Sequence, residues 1–150
     1  YGREDASICN RKPSRMGTQY LIDTNAVVDF LSGGLPIDGN SWMQQLIELS
    51  LHHLSVINQI EILGYNGTPS EMQTLEDFIQ TSIVLPLSEE VAKKTIELRK
   101  TYKIKLPDAI IAATSLVYDL TLVTRNTSDF DKISGLKCVN AHLMRQKEKP

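Results

Sequence analysis

The 150-residue chain has two cysteines, three histidines and almost no net charge, 16 Lys and Arg standing against 18 Asp and Glu. Each shortage closes off a class of chemistry. Cys9 and Cys138 lie far apart, in no Cys-x-x-Cys pattern and beside no histidine run. That excludes a disulfide scaffold and a thiolate zinc site, and it suits a reduced, cytoplasmic setting. A net charge of −2 excludes a general positive coat for nucleic acid but leaves room for a local basic face. Long apolar runs are missing too. The best stretch, Ala109 to Val123, carries Thr114, Ser115, Asp119 and Thr121 and falls short of the roughly 20 residues a membrane helix needs. No internal repeat, linker or low-complexity segment divides the chain.

What is present suits one compact domain. At 41% hydrophobic and 23% charged residues the composition is that of an ordinary globular protein. A chain of this size buries roughly two thirds of its unfolded surface, enough for a core without disulfides or structural metal. Tyr1 to Arg15 are polar and lack the apolar segment of a secretory signal, so Met16 reads as the native start. Residues 1–15 are then an expression remnant or a disordered extension, and residues 16–150 the single domain. The tail Arg145 to Lys149 is basic and expected to be mobile.

Short aliphatic runs alternate with helical patterns. Strands are expected at Tyr20-Leu21-Ile22, His53 to Val56, Ile83 to Leu85, Leu120 to Thr124 and Lys137 to Asn140. Helices are expected over Asn25 to Leu31, Ser41 to Leu51 (Trp42, Leu46 and Leu49 on one face), Ile57 to Tyr65 and Ser70 to Gln80 (Met72, Leu75, Phe78 and Ile79 inward). Ser88 caps a further helix, with Glu89 and Glu90 at its positive end and Val91, Thr95, Leu98 and Tyr102 at helical spacing. Pro107 opens an Ala-rich helix through Leu116, expected to be buried on most sides, and Ser128 to Ile133 is a turn or short helix. Strands alternating with helices imply an α/β fold with a parallel sheet.

Ligands of such sheets gather beyond the carboxyl ends of the strands, and there the sequence is acidic. Asp23 ends the first strand, Asp108 lies in the first turn of the Ala-rich helix, Asp129 follows the strand at Leu120 to Thr124, and Glu61 sits among Ile57, Ile60, Ile62 and Leu63. Singly, each has an ordinary reading. Asp23 and Asp108 suit helix starts, Asp129 a turn, and Glu61 the solvent side of a helix. Together, carboxylates converging on one sheet edge would raise one another's pKa unless a cation compensated. Hard oxygen ligands without His or Cys suit Mg²⁺ or Mn²⁺ rather than zinc, and such sites commonly serve phosphoryl chemistry.

Four segments sharpen this. Ile22-Asp23-Thr24-Asn25, Ser55-Val56-Ile57-Asn58-Gln59-Ile60-Glu61-Ile62, Leu106-Pro107-Asp108-Ala109-Ile110-Ile111-Ala112-Ala113 and Leu122-Val123-Thr124-Arg125-Asn126-Thr127-Ser128-Asp129-Phe130 stand in that order between about Gln19 and Asn140. They resemble the four acidic blocks of PIN-domain ribonucleases, and most of all those of VapC-type toxins of bacterial type II toxin–antitoxin pairs. The resemblance implies a three-layer α/β/α fold around a central, mainly parallel sheet. It also implies Mg²⁺- or Mn²⁺-dependent cleavage of RNA by in-line attack of an activated water, with Asp23, Glu61, Asp108 and Asp129 as the catalytic acids. Asp23, Asp108 and Asp129 would ligate metal, Glu61 binding metal or holding the water, and Thr24, Asn25, Thr124 and Asn126 would orient the carboxylates. The fourth acid varies in position in the family, so Asn126 and Asp129 both stay open for that part.

With the four acids set aside, the remaining surface is mildly basic, and Lys103, Lys105 and Arg125 are placed to meet RNA phosphates, though Lys-rich helix faces are common in any case. The same resemblance implies a cognate antitoxin in a groove beside the pocket, with a basic side chain reaching the carboxylates, and a homodimer. His52, His53 and His142 read as structural or surface residues, His53 as strand-edge filler, and Trp42 and Tyr102 as packing. Two other classes compete: an Asp-dependent phosphohydrolase, and a module that binds RNA or protein without cutting. Asn25 stands where the haloacid-dehalogenase pattern needs a second Asp.

Overall fold

A computed structural model describes residues 17–145 and 148–150. The expectations for residues 1–15 and for Cys9, and part of that for the basic tail, lie outside the described residues. The elements follow as β1 (Tyr20–Ile22), α1 (Thr24–Leu31), α2 (Ile37–Glu48), β2 (His52–Ser55), α3 (Val56–Leu63) and α4 (Pro69–Gln80). After them come β3 (Ile83–Leu85), α5 (Glu89–Thr101), α6 (Leu106–Val117), β4 (Thr121–Val123), α7 (Thr127–Phe130) and β5 (Cys138–Val139). A 3₁₀ turn over Ala141–Leu143 follows.

The five strands form one sheet in the order β3-β2-β1-β4-β5. Every pairing is parallel, so the sheet is more uniform than the mainly parallel one expected. The chain first steps outward from β1 to β2 and β3, then returns to β4 on the other side of β1. That reversal opens a crevice at the carboxyl ends of β1 and β4.

Alternation along the short strands supplies both cores. Tyr20, Ile22, Leu54 and Val123 face one side, packed by α1, α2 and α4 through Val27, Met43, Leu46, Leu75 and Phe78. Leu21 and Leu122 face the other, packed by α5 and α6 through Val91, Leu98, Ile110 and Ile111. The result is three layers. In α6 every side chain from Ala109 to Ser115 is buried, as the small residues led one to expect. Trp42 packs edge-on against Tyr20, ring centroids 5.3 Å apart, and the Tyr102 hydroxyl accepts the Ser134 N–H, so both serve packing.

Several boundaries move. Helix α2 starts at Ile37, four residues before the expected Ser41, and Gly39 is built into it because a Cβ there would stand 2.0 Å from the Ala141 carbonyl oxygen. Leu49 falls just beyond the helix end and is 60% exposed instead of inward. Strand β2 runs from His52 to Ser55, because Ser55 caps α3 and Val56 already belongs to that helix. With β2 flanked by β1 and β3, His53 is no edge residue; its Nδ1 lies 3.2 Å from the Tyr20 carbonyl oxygen. Cys138 is a free thiol, and burial pushes its pKa up to about 11. No helix among the described residues is long and apolar enough to cross a membrane.

Candidate active site

The crevice is organised around Asp23. Its N–H continues the sheet by donating to the Val123 carbonyl, and its side chain caps α1 by accepting the Thr24 N–H at 2.8 Å. Only 6% exposed, the carboxylate also takes the Thr124 hydroxyl at 2.9 Å, the Asn25 amide at 3.3 Å and the Asn58 amide at 3.4 Å. All four donors are neutral. The positive end of α1 adds to them, yet burial still pushes the Asp23 carboxyl above its ordinary range, with smaller contributions from Asp108 and Glu61.

Thr124 is the hub on the far strand. Register places it beside Asp23, since β1 and β4 pair Ile22 with Val123. Its hydroxyl oxygen receives the Asn126 N–H at 3.1 Å and the Asn25 amide at 3.4 Å while the hydroxyl donates to Asp23. On the other side, Thr24 donates its hydroxyl to Glu61 Oε1 at 2.6 Å and accepts the Asn58 amide at 3.1 Å. Glu61 is therefore fixed to the head of α1 although it is exposed on α3.

Asp108 enters from the first turn of α6, half-buried, and no hydrogen bond reaches its carboxylate among the described residues. Burial raises its pKa most, then Asp129 and Glu61, with Lys105 opposing. Asp23, Asp29, Glu61 and Asp108 line one cavity of about 470 Å³ with Thr24, Asn25, Arg125 and Asn126. Asp129, exposed in α7, is outside that lining and acts on Asp108 through its charge, whereas Asn126 is part of the wall. Lys105 stands near enough to Asp108 to influence it. Lys103 lies in the adjoining loop, where its carbonyl accepts Lys132 Nζ.

The donor set is chemically suited to a hard divalent cation: carboxylate oxygens whose mutual repulsion and burial leave a deficit of positive charge. As arranged, no three of the described acids, histidines or cysteines stand close enough together to enclose one ion. The acids share a cavity wall rather than a finished coordination shell.

Comparison with protein families matches the PIN domain over residues 20–136. The chain belongs to the PIN-domain family. Among solved structures, a chain of a toxin–antitoxin complex from Klebsiella pneumoniae is 32% identical, with TM-score 0.66, covering 82% of this chain and 98% of that one. Two others show the fold. They are VapBC2 from Rickettsia felis bound to a DNA fragment from its promoter (22% identity, TM-score 0.70, 82% and 98% covered) and DNA-bound VapBC from Salmonella typhimurium (24%, 0.67, 83% and 99%). These neighbours agree with the likeness to VapC-type PIN toxins drawn from the four acidic blocks. Comparison with curated proteins found no significant match.

Three residues at the site of this PIN domain escaped the sequence reading. Asn58 is fully buried, its side-chain oxygen taking the Ser55 N–H at 2.9 Å and its amide serving Asp23 and Thr24. The signal for it was local, a Ser-x-x-Asn capping box at the head of α3. Asp29 and His142 had no such signal. At the rim Arg125 and His142 both meet Asp29, from 96 and 113 positions away in sequence.

Proposed function

We propose that this PIN domain is a metal-dependent endoribonuclease acting in the cytoplasm as the toxin of a toxin–antitoxin pair. The observation that carries the reading is one cavity walled by Asp23, Glu61 and Asp108 at the sheet's switch point, with two of these carboxyls raised by burial and by their neighbours' charge. Asp23 and Asp108 would hold Mg²⁺ or Mn²⁺, with Asp129 completing the set directly or through water. When bound, such an ion polarises a phosphodiester and lowers the pKa of water. Thr24, Asn25, Thr124 and Asn126 keep the carboxylates oriented, joined by Asn58. Glu61, held by Thr24, would bind metal or hold the attacking water for in-line displacement. Lys103, Lys105 and Arg125 would take backbone phosphates of the RNA.

An antitoxin partner is supported by the toxin–antitoxin neighbour at 32% identity. An apolar groove of about 360 Å³ between α1, α3 and α4, lined by Val28, Leu31, Ile62, Tyr65 and Leu75, reaches Thr24 and Glu61 at the edge of the acidic cavity. An antitoxin segment seated there would bring a basic side chain within reach of the carboxylates. A homodimer completes the proposal, with Ile60, Ile96 and Leu106 among the exposed apolar side chains available to it.

The deciding experiment incubates the purified chain with total bacterial RNA and Mg²⁺ or Mn²⁺ and maps new 5′ ends. Discrete cuts, absent with EDTA and with Asp108→Ala, are expected. Cuts that persist in Asp108→Ala or in EDTA would remove the assignment.

A further inference from the structure

At the rim of the acidic cavity, three distant parts of the chain meet on one carboxylate. Asp29, in the second half of α1, accepts Arg125 Nη1 at both oxygens, at 3.2 and 3.0 Å, and His142 Nε2 lies 2.9 Å from its Oδ2. The Asp29 side chain is 16% exposed, whereas that of Arg125 is 52% exposed. Arg125 is fixed through its main chain as well, its N–H donating to Asn25 Oδ1 at 3.0 Å, and it lines the same cavity as Asp23 and Asp108. His142 belongs to the 3₁₀ turn, capped by Asn140 and pressed onto α2 where Gly39 lets backbone meet backbone.

Asp29 differs from the catalytic acids in what it receives. Asp23 takes only neutral donors, so none of its contacts carries a balancing positive charge; Asp29 is matched by a guanidinium and has a histidine at its second contact. Its charge is spent on holding Arg125. The guanidinium is engaged through Nη1 alone, and among the described residues Nε and Nη2 meet no acceptor. Those two nitrogens form the planar fork that pairs with two phosphate oxygens, and a side chain already held in place loses less freedom when it does so.

We infer that Asp29 and His142 are positioning residues that hold Arg125 at the cavity mouth so that its free edge grips a phosphate of the entering RNA strand. The inference rests on the ribonuclease reading above for the identity of that phosphate. It makes the C-terminal turn part of substrate recognition, although His142 touches neither RNA nor the catalytic acids.

The test measures binding of the full chain to single-stranded RNA oligonucleotides in EDTA over a salt series, beside Mg²⁺-dependent cleavage kinetics. Arg125→Ala should weaken binding about tenfold and flatten the log–log salt slope by about 0.7, one phosphate contact on a single strand. Asp29→Asn removes a negative charge from the rim, which by charge alone would tighten RNA. The brace requires the opposite, about threefold weaker binding with the slope kept and KM raised at nearly constant kcat. His142→Phe should match Asp29→Asn, while His142→Gln, which retains an N–H near the Nε2 position, should restore wild-type affinity. Arg125→Lys keeps the ion pair but lacks the fork, and should still bind several-fold more weakly.

Binding by Asp29→Asn or His142→Phe as tight as wild type overturns the inference, as does full affinity in Arg125→Lys. An Asp29→Asn defect that is rescued by more Mn²⁺ rather than more RNA also overturns it, placing Asp29 among the metal acids. A wild-type chain that binds RNA through Arg125 but never cuts it removes the ribonuclease and leaves the brace. Cleavage with unaltered binding in every variant removes the brace and leaves the ribonuclease, and a wild-type chain that binds no RNA removes it too.

Discussion

Two titratable side chains on neighbouring strands are buried almost equally, and the protein treats them in opposite ways. Asp23, directly after β1, is 6% exposed and receives four hydrogen bonds. His52, opening β2, is 4% exposed and both ring nitrogens lack a partner among the described residues, its ring lying against Phe78 with centroids 5.6 Å apart. Loss of solvent disfavours the charged form of each, so the same cause raises the pKa of the acid and lowers that of the base. The buried carboxyl at the proposed site is surrounded by donors; a buried ring tolerated by packing is simply left neutral. Asp108 stands between them, raised by burial and then by its neighbours' charges, with no hydrogen bond to its carboxylate among the described residues.

The largest effect expected is on cleavage. Asp23→Ala and Asp108→Ala should each reduce it by about a thousandfold or more, on the scale of losing charge stabilisation in a catalytic site. Their stabilities should part. Asp23→Ala strands the Thr124, Asn25 and Asn58 donors and should cost about 1–3 kcal/mol, whereas Asp108→Ala removes repulsion without freeing a donor and should melt at or above wild type. Equal losses in thermal melts would break the contrast between the two acids. Next, Thr124→Val deletes the hydroxyl that reaches Asp23 while keeping its shape, and should lower activity about 10–100-fold, measured against metal concentration. Activity unchanged by that substitution would mean that Asp23 needs no orienting from β4.

His52 supplies the smallest and cleanest contrast. His52→Leu should leave cleavage intact and stabilise the fold by roughly 1 kcal/mol, because no partner is lost and an unsatisfied ring is removed. Above the ordinary histidine pKa of 6.5 both folded and unfolded states hold His52 neutral. As the pH falls below that value the unfolded chain takes the proton first, so native stability declines until the lower folded pKa is passed. Denaturant midpoints from pH 8 down to pH 5 should show this slope in the wild type and a shallower one in His52→Leu. Identical slopes would mean that His52 has a partner in solution.

What was legible in the sequence was whatever repeats at short range. Ile83–Leu85, the Ser88 cap and the small-residue helix α6 carry their patterns within a few residues, and the structure places them where the patterns put them. The early start of α2 was hidden by Gly39, which reads as a helix breaker until the Ala141 carbonyl is known to lie against it. His52 was recoverable: with Leu54 in the core, a period of two turns His52 inward as well. The four acids drew notice because each lies in a segment with a local signature, Glu61 within α3 and the other three near the ends of elements. Asp29, Arg125 and His142 could not be linked, since no periodicity connects residues that meet only after the sheet has formed.

The bond between Thr124 and Asp23 joins positions 101 apart, and strand β4, which carries it into place, comes late in the chain. A polypeptide interrupted before β4 holds Asp23, Glu61 and Asp108 but lacks the strand that sets Asp23 in the wall of the cavity. Synthesis from the amino end therefore leaves the cavity wall incomplete until most of the domain has been made. For a protein proposed to cleave RNA, this ordering makes the strand that completes the wall of the proposed site one of the last elements of the domain to be made.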